Sequence, residues 1–227
     1  RLAAKEADET PRGVMVQDTA WDGYEEIPSW IMQGYGTMAM EAGEQLKEYG
    51  CERPTHIFVQ AGVGSLAGAV VGYFSNLYAD NPPVFVVVEA EAAACLYKGA
   101  AAGDGQIRIV DGDMETIMAG LACGEPNTIS WDILKNHVKV FIAAPDWVAA
   151  TGMRMLGAPI KGDAPVTSGE SGAAPFGALA AVMSMDEYAD LRKDIGLDEN
   201  SRVLLFSTEG DTDPDRYKNI VWKGLDK

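Results

Sequence analysis

The fold predicted from this sequence is α/β, a twisted, mostly parallel sheet flanked by helices. Three observations carry that expectation. Short apolar runs alternate along the chain with longer segments of helical period. One run, Val84-Phe-Val-Val-Val88, is continuously apolar, as a strand covered on both faces must be. A glycine-rich turn, Gln60-Ala-Gly-Val-Gly-Ser-Leu-Ala-Gly68, sits between the β-branched and aromatic run His56–Val59 and the small-residue apolar stretch Ala67–Tyr78. Strand, glycine turn and helix start together present free backbone N–H groups where the helix dipole favours negative charge. Phosphate is the natural ligand of such a turn. It is held without a lysine, because no Gly-Lys-Ser/Thr follows. A tight turn whose Gly62, Gly64 and Gly68 serve only close packing accounts for the glycines equally well.

Taken in order, residues 1–9 look like a helix already under way, with no initiator Met and no cap, so the chain is expected to be truncated or cleaved. Leu2–Ala7 reads as the tail of that helix, closed by Thr10-Pro-Arg-Gly13. Val14–Gln17 reads as a short strand, followed by a polar and aromatic loop, Asp18-Thr-Ala-Trp-Asp-Gly-Tyr24. Ligands of parallel α/β sheets bind beyond the carboxyl ends of strands. Position therefore makes Asp18, Trp21, Asp22 and Tyr24 site candidates, with an ordinary Asp/Gly turn as the alternative. Pro28–Tyr49 is helical by the spacing of Ile31, Met38, Ala42 and Leu46. Gly34 and Gly36 within it suggest close approach of another backbone.

After Asn81-Pro-Pro83, the strand Val84–Val88 ends in Glu89-Ala-Glu91. Ala92–Lys98 reads as helix, 99–105 as loop, Ile107–Val110 as an edge strand and Met114–Leu121 as helix stopped by Cys123-Gly-Glu-Pro126. Ser130–Asn136 is a short helix, Val138–Ile142 a strand, Pro145–Leu156 a helix and 159–172 a loop. Ala173–Met183 is a small-residue helix whose start carries Ser168, Glu170 and Ser171, and Glu187–Ile195 continues helical. Val203–Phe206 is the last buried strand. It runs into Ser207-Thr-Glu-Gly-Asp-Thr-Asp-Pro214, and Tyr217 onward reads as a tail. The glycine loop, the Glu170 helix start and the Ser207 strand end all occupy positions where such folds place ligands.

Composition narrows the function. A chain of 227 residues, 47% hydrophobic, supports one large α/β domain or two small ones. A net charge of −16 repels nucleic acid and anionic membranes and suits a cytoplasmic protein. No apolar run approaches the ~18–20 residues that span a bilayer, and no signal-peptide pattern opens the chain. Cys51, Cys95 and Cys123 lack CxxC spacing, and His56 and His137 are the only histidines, so no structural metal site is expected.

Five stretches in order carry a resemblance. Gly34-Tyr-Gly-Thr37, the AGVGSLAG loop, Val88-Glu-Ala-Glu91, SGESGAAPFGALAA (168–181) and FSTEGDTD (206–213) resemble the fold type II pyridoxal-phosphate enzymes, the tryptophan synthase β and threonine dehydratase group. Within that group, residues 17–38, 116–126 and 207–214 are similar to the diaminopropionate ammonia-lyases. The resemblance covers essentially the whole chain. It implies that residues 1–227 are the C-terminal part of the large cofactor domain, with pyridoxal 5'-phosphate as cofactor. The implied reaction is α,β-elimination of 2,3-diaminopropionate to pyruvate and ammonia, by a homodimer acting on a small amino acid. The cofactor supplies the electron sink while the protein positions and tunes it.

By the same resemblance, the backbone N–H groups of Gly62, Val63, Gly64, Ser65 and Leu66 hold the phosphate. Ser207 faces the pyridine nitrogen, with Thr208 its neighbouring candidate, and a neutral hydroxyl there leaves that nitrogen unprotonated. Glu170 lies near the ring and Gly120 beside the cofactor. Asp18 orients or deprotonates substrate, with Asp22 as fallback. The residues also admit plainer roles: Ser207 and Thr208 as a strand end, Glu170 as a helix-start acid, Ser168 and Ser171 as caps. Two departures stand out. The Schiff-base lysine, expected in an upstream motif, is missing, and Lys161 lies in the wrong place, so this chain alone is expected to be inactive. Cys95 occupies a position where related dehydratases and racemases place an oxygen ligand for a cation, which argues against a metal. The fold of that group brings Cys95 and Cys123 near one another, with free thiols the default in a cytosolic protein. The alternatives are a threonine/serine dehydratase-like enzyme and a non-catalytic module binding a phosphorylated ligand. A nucleotide-binding Rossmann domain is disfavoured by the glycine spacing.

Overall fold

The computed structural model describes residues 2–225. In chain order the elements are α1 (Leu2–Glu9), α2 (Glu26–Glu48), β1 (His56–Gln60), α3 (Ser65–Leu77), β2 (Val84–Ala90), α4 (Cys95–Ala102), α5 (Thr128–His137), β3 (Val138–Ala144), α6 (Asp146–Gly157), α7 (Glu170–Ser184), α8 (Ala189–Ile195), β4 (Val203–Leu205) and α9 (Pro214–Lys223). Short 3-10 turns at Glu91–Ala93, Ala119–Leu121 and Asp186–Tyr188 link them. The strands form one sheet in the order β3-β2-β1-β4, and every pair is parallel. The chain steps outward from β1 to β2 and β3, then returns to lay β4 on the other side of β1. That reversal makes the carboxyl ends of β1 and β4 the topological switch point, where a crevice opens between diverging connections.

Both faces of the central strands are covered, as the continuous apolar run requires. Phe58, Val86 and Val88 face Ala149 and Met153 of α6 and Ala173 and Ala174 of α7. Ile57, Val59, Phe85 and Val87 face Val70 and Phe74 of α3 and Trp131 and Leu134 of α5. The alternation of side chains along a strand distributes β1 and β2 between these two cores. Gly152 and Gly177 let α6 and α7 meet backbone to backbone, since a Cβ on either would collide with the other helix.

Several expectations are corrected. Val14–Gln17 forms no strand. Val14 and Val16 are exposed, and the backbone is tied instead to the Tyr24 hydroxyl, which donates to Met15 O at 2.9 Å. Ile107–Val110 is extended but unpaired as a strand, with only Val110 buried and bonded to Gly124 O at 2.9 Å. Met114–Leu121 is not a helix. Met114 takes φ +48°, and Asp146 at the start of α6 accepts from the Thr116 hydroxyl and from Ile117 N–H at 3.2 Å. This competing side-chain anchor breaks the helical bond pattern that the apolar spacing suggests. The expected loop at 99–105 is shorter, because α4 runs to Ala102 before Gly103 takes φ +68°. Residues 217–223, expected as part of a tail, belong to α9, started by the Asp213 cap and Pro214, and the last two residues of that expected tail lie outside the described residues. Gly34 and Gly36 have nothing within 4 Å of a built Cβ, so no backbone approaches them. The helix expected over residues 1–9 is seen from Leu2 to Glu9, and Arg1 lies outside the described residues.

Glu89, at the carboxyl end of β2, is 1% exposed. Its carboxylate accepts from Leu96 N–H at 2.8 Å and Tyr97 N–H at 2.6 Å, satisfying the start of α4. Burial pushes its carboxyl up to about 8, against the opposing pull of those N–H groups. The neighbouring Cys95 thiol is pushed up to about 12, first by burial and then by the Glu89 charge. Between the ordinary value of 4.5 and about 8 the folded state keeps a proton that the unfolded chain has released. Stability therefore falls as pH rises across that window, by about 1.4 kcal/mol per pH unit at the steepest, and levels off above it. Urea unfolding at several pH values should show a shallower decline for Glu89→Gln than for the native chain. Equal slopes would contradict the assignment.

Candidate active site

The turn after β1 is built around Gly64, the residue before α3, whose φ of +101° favours glycine. Ala61 N–H still belongs to the sheet, donating to Val88 O at 2.9 Å, and the first helical bond runs from Gly68 N–H to Gly64 O at 2.7 Å. Between them, the N–H groups of Gly62, Val63, Gly64, Ser65 and Leu66 meet no protein acceptor among the described residues. All five residues line a cavity of about 300 Å³. Unpaired N–H groups at the start of a 13-residue helix make an anion site by dipole and by hydrogen bonding. The start of α7 differs. There the Glu209 carboxylate accepts from Ser171 N–H and from Gly172 N–H at 3.1 Å, so those groups are already satisfied.

Asp18 lines the same cavity. Its backbone carbonyl accepts from the Ser65 hydroxyl at 2.8 Å and from Asn127 Nδ2 at 2.6 Å. Asn127 is fully buried. It also donates to Ser65 Oγ at 2.9 Å, and its Oδ1 caps α5 through Ile129 and Ser130 N–H at 2.9 and 3.1 Å. One side chain thus fixes the Asp18 loop, the phosphate-type turn and α5 together. Ser65 spends its hydroxyl hydrogen on Asp18 O, leaving only its backbone N–H for a ligand. The Asp18 carboxylate has no hydrogen-bond or ion-pair partner among the described residues. Its charge raises the Tyr35 phenol and the Cys123 thiol, in each case after burial, the larger cause.

Across the switch point, Gln60 ends β1 and Thr208 follows β4. Gln60 Nε2 donates to Phe206 O at 3.0 Å and to Thr208 Oγ1 at 2.8 Å. Gln60 is 3% exposed, and its Oε1 has no partner. Gly120, on the loop held by Asp146, approaches both sides of the cavity. A Cβ there would stand 3.1 Å from Ser171 Oγ, and one on Gly62 would stand 3.2 Å from Gly120 O.

Of the residues singled out by sequence, the structure gathers Asp18, Gly62 to Leu66, Gly120 and Thr208 around one cavity. Three others do not line it. Ser207 is bonded to Ser168, Oγ to Oγ at 2.9 Å, and does not line the cavity, so the hydroxyl at the cavity is that of Thr208. Glu170 pairs with Arg216 Nε at 3.0 Å, joining α7 to α9. Asp22 sits exposed in the turn closed by Trp21 and Tyr24. Ser168 and Ser171 are not caps, because the cap position before α7 is Gly169, which has no side chain, and Glu209 does that work. Tyr35, Gln60, Cys123, Ser171 and Glu209 line the cavity without having been chosen as ligands from sequence. Only Gln60, a polar residue ending an apolar strand just before the glycines, left a local signal.

No group of three or more His, Cys, Asp or Glu side chains able to hold a metal occurs among the described residues. Cys51, Cys95 and Cys123 are free, with Cys95 Sγ 3.6 Å from Cys123 O. No helix among the described residues is long and apolar enough to cross a membrane.

Comparison with known proteins extends this picture. A family model described as pyridoxal-phosphate dependent enzyme matches residues 1–209. Diaminopropionate ammonia-lyase of Salmonella typhimurium is 55% identical over 225 residues, 99% of this chain and 55% of its own length. The crystal structure of the Escherichia coli diaminopropionate ammonia-lyase in complex with an aminoacrylate-PLP azomethine reaction intermediate aligns with a TM-score of 0.89. The identity is 46%, over 99% of this chain and 56% of that one. Maize serine racemase aligns with a TM-score of 0.64 at 22% identity, over 86% of this chain and 54% of that one, which is a likeness of fold. The chain spans about half the length of the curated relatives it matches.

Proposed function

The chain belongs to the pyridoxal-phosphate-dependent enzymes, and from that premise we propose that residues 1–227 form the C-terminal part of the cofactor domain of a carbon–nitrogen lyase. Its reaction converts 2,3-diaminopropionate and water to pyruvate and two ammonia. The observation that carries the cofactor assignment is the set of five unpartnered N–H groups, Gly62 to Leu66, at the start of α3. They fit a phosphate ester: among the described residues no lysine or arginine lines the cavity, which leaves the backbone to hold the anion. Bound pyridoxal phosphate supplies the electron sink for charge developing at the substrate Cα. The choice of substrate is supported by the 55% identity to a diaminopropionate ammonia-lyase.

Each residue then has a task. The backbone N–H groups of Gly62–Leu66 bind the phosphate and Gly120 leaves room beside the cofactor. Thr208 offers a neutral hydroxyl to the ring nitrogen, in preference to Ser207. The unpaired Asp18 carboxylate receives a substrate ammonium group or takes a proton from it, held in place by its carbonyl bonds to Ser65 and Asn127. The cofactor-bearing lysine is assigned to polypeptide beyond these residues, so these residues alone are inactive. A homodimer in the cytoplasm completes the proposal, by analogy with the family.

The test uses the full-length polypeptide with pyridoxal phosphate. Pyruvate and ammonia should form from 2,3-diaminopropionate far faster than from serine, and borohydride should fix the cofactor to a lysine outside residues 1–227. A preference for serine would move the reading to a dehydratase, and a stoichiometric tag within these residues would overturn the lysine assignment. Asp18→Asn should lower turnover about 10²-fold, the lower end of what a positioned acid or base contributes, while cofactor affinity stays unchanged. Unaltered turnover would remove Asp18 from the proposal.

A further inference from the structure

Two helices begin at the wall of one cavity, and only one of them offers its N–H groups. The lining includes Gly62–Leu66 at the start of α3, and Ser171 and Glu209 at the start of α7. Gly120 lies between the two starts: a Cβ on Gly62 would stand 3.2 Å from Gly120 O, and one on Gly120 would stand 3.1 Å from Ser171 Oγ. The α3 groups meet no protein acceptor among the described residues. Those of α7 are taken by Glu209. Its Oε1 accepts from Ser171 N–H and from Gly172 N–H at 3.1 Å, and its backbone carbonyl accepts from Gly169 N–H at 3.0 Å. Glu170, the acid in the first turn of α7 itself, is paired with Arg216 instead. Among the described residues no lysine or arginine pairs with Glu209, so backbone N–H groups hold its carboxylate as they would hold a bound anion. Glycines clear the place it occupies. A Cβ on Gly169 would lie 2.7 Å from Glu209 Cγ and 2.8 Å from its Cδ, and one on Gly172 would lie 3.1 Å from Thr208 N.

We propose that Glu209 is a specificity-determining residue that fills the anion seat at the start of α7, so that a phosphorylated ligand finds one seat in the cavity, at α3, and enters in one orientation. This deepens the proposed function and rests on its cofactor assignment, which sets the ring toward Thr208. Thr208 and Glu209 are adjacent in the chain, and both line the cavity. The start of a 15-residue helix with unpartnered N–H groups at that end would compete for the phosphate, by dipole and by hydrogen bonding. A cofactor held there would lie reversed. Glu209 prevents this in two ways. Its oxygen occupies the donors, and its charge repels a second anion. Swinging the carboxylate out would leave the Ser171 and Gly172 N–H groups short of a partner, which keeps it in place.

The experiment uses the full-length protein freed of cofactor, native and as Glu209→Ala. Inorganic phosphate is titrated into each. Crystals of each are soaked with phosphate and with pyridoxine 5'-phosphate, which lacks the aldehyde and so cannot bond to a lysine. Within the cavity the native protein should hold phosphate on the Gly62–Leu66 turn alone, and pyridoxine phosphate in a single orientation. The alanine variant should gain one phosphate per chain, seated on Ser171 and Gly172 N–H, and should hold pyridoxine phosphate in both orientations. A cap that serves only the helix loses stability on truncation and gains no anion. A variant whose α7 N–H groups meet only water overturns the inference, as does a native protein with phosphate at α7 and Glu209 swung out. Native phosphate at neither helix start sinks the cofactor assignment itself. Where the alanine variant does not fold, Glu209→Gln decides. A neutral acceptor is held about half as strongly as a carboxylate, so saturating phosphate should displace the amide from α7. An amide that stays in place overturns the inference.

Discussion

Asn127→Ala should lower stability by about 3–5 kcal/mol and release the Asp18 loop. The side chain is fully buried and ties three segments far apart in sequence. Loss of the α5 cap alone costs about 0.5–2 kcal/mol. The Asp18 carbonyl and Ser65 hydroxyl each lose a donor, and a buried group left short of a partner costs about 1–3 kcal/mol. These terms share one site and are not simply additive. Asn127→Asp separates them: it keeps the cap acceptors and removes the donors to Asp18 and Ser65. It sets a carboxyl oxygen against Asp18 O in a fully buried place, so its turnover in the full-length protein should fall as far as that of the alanine variant even though the α5 cap is kept. Urea midpoints with an unchanged slope would report the stability change. A loss below about 1 kcal/mol for the alanine variant would deny Asn127 its central place.

Gly64→Ala should be as damaging, for a different reason. At φ +101° a side chain costs about 1–2 kcal/mol. The new Cβ would lie 2.8 Å from Ser130 Oγ, 3.2 Å from Leu134 Cδ1 and 3.3 Å from Leu96 Cδ1, so a packed core must shift. Such overpacking adds about 1–3 kcal/mol. The shift also re-aims the N–H groups that hold the anion, so affinity for pyridoxal phosphate should fall at least about tenfold, or ~1.4 kcal/mol. The control lies in the same chain. Gly34 and Gly36 sit within α2 with nothing near a built Cβ. Alanine at either should stabilise by about 0.4–1 kcal/mol, through the unfolded state and helix propensity. Opposite signs at Gly64 and Gly34 are the expected result.

The parts of the fold that were readable in advance are those whose cause is local. β1, β2 and α3 follow from apolar runs and a glycine turn that need no partner to be recognised. Part of the lining of the candidate cavity was readable where one loop builds it, at Gly62–Leu66, and where the Asp18 loop enters it. What escaped depends on contacts between distant residues. The segment Val14–Gln17 has strand-like residues but no neighbouring strand, so propensity had nothing to pair with. Met114–Leu121 has helical spacing, yet Asp146, some 30 residues on, claims its polar groups. Asn127 and Asp18 are 109 positions apart and Gln60 and Thr208 are 148 apart, so no window along the chain contains either pair. Glu209 at the start of α7 belongs with them. It caps a helix 38 positions earlier, so the serines beside that helix looked like its caps. Ser207 and Thr208 are neighbours, and it is the bond across to Gln60, far away in sequence, that sets Thr208 in the cavity lining.

The central claim is that the free N–H groups at the start of α3 bind the phosphate of pyridoxal phosphate. A crystal structure of the full-length protein soaked with pyridoxal phosphate tests it directly. The account predicts phosphate oxygens about 2.7–3.2 Å from the backbone nitrogens of the Gly62–Leu66 turn, with the ring extending toward Thr208. Phosphate seated elsewhere, or a turn left empty at saturating cofactor, would contradict it.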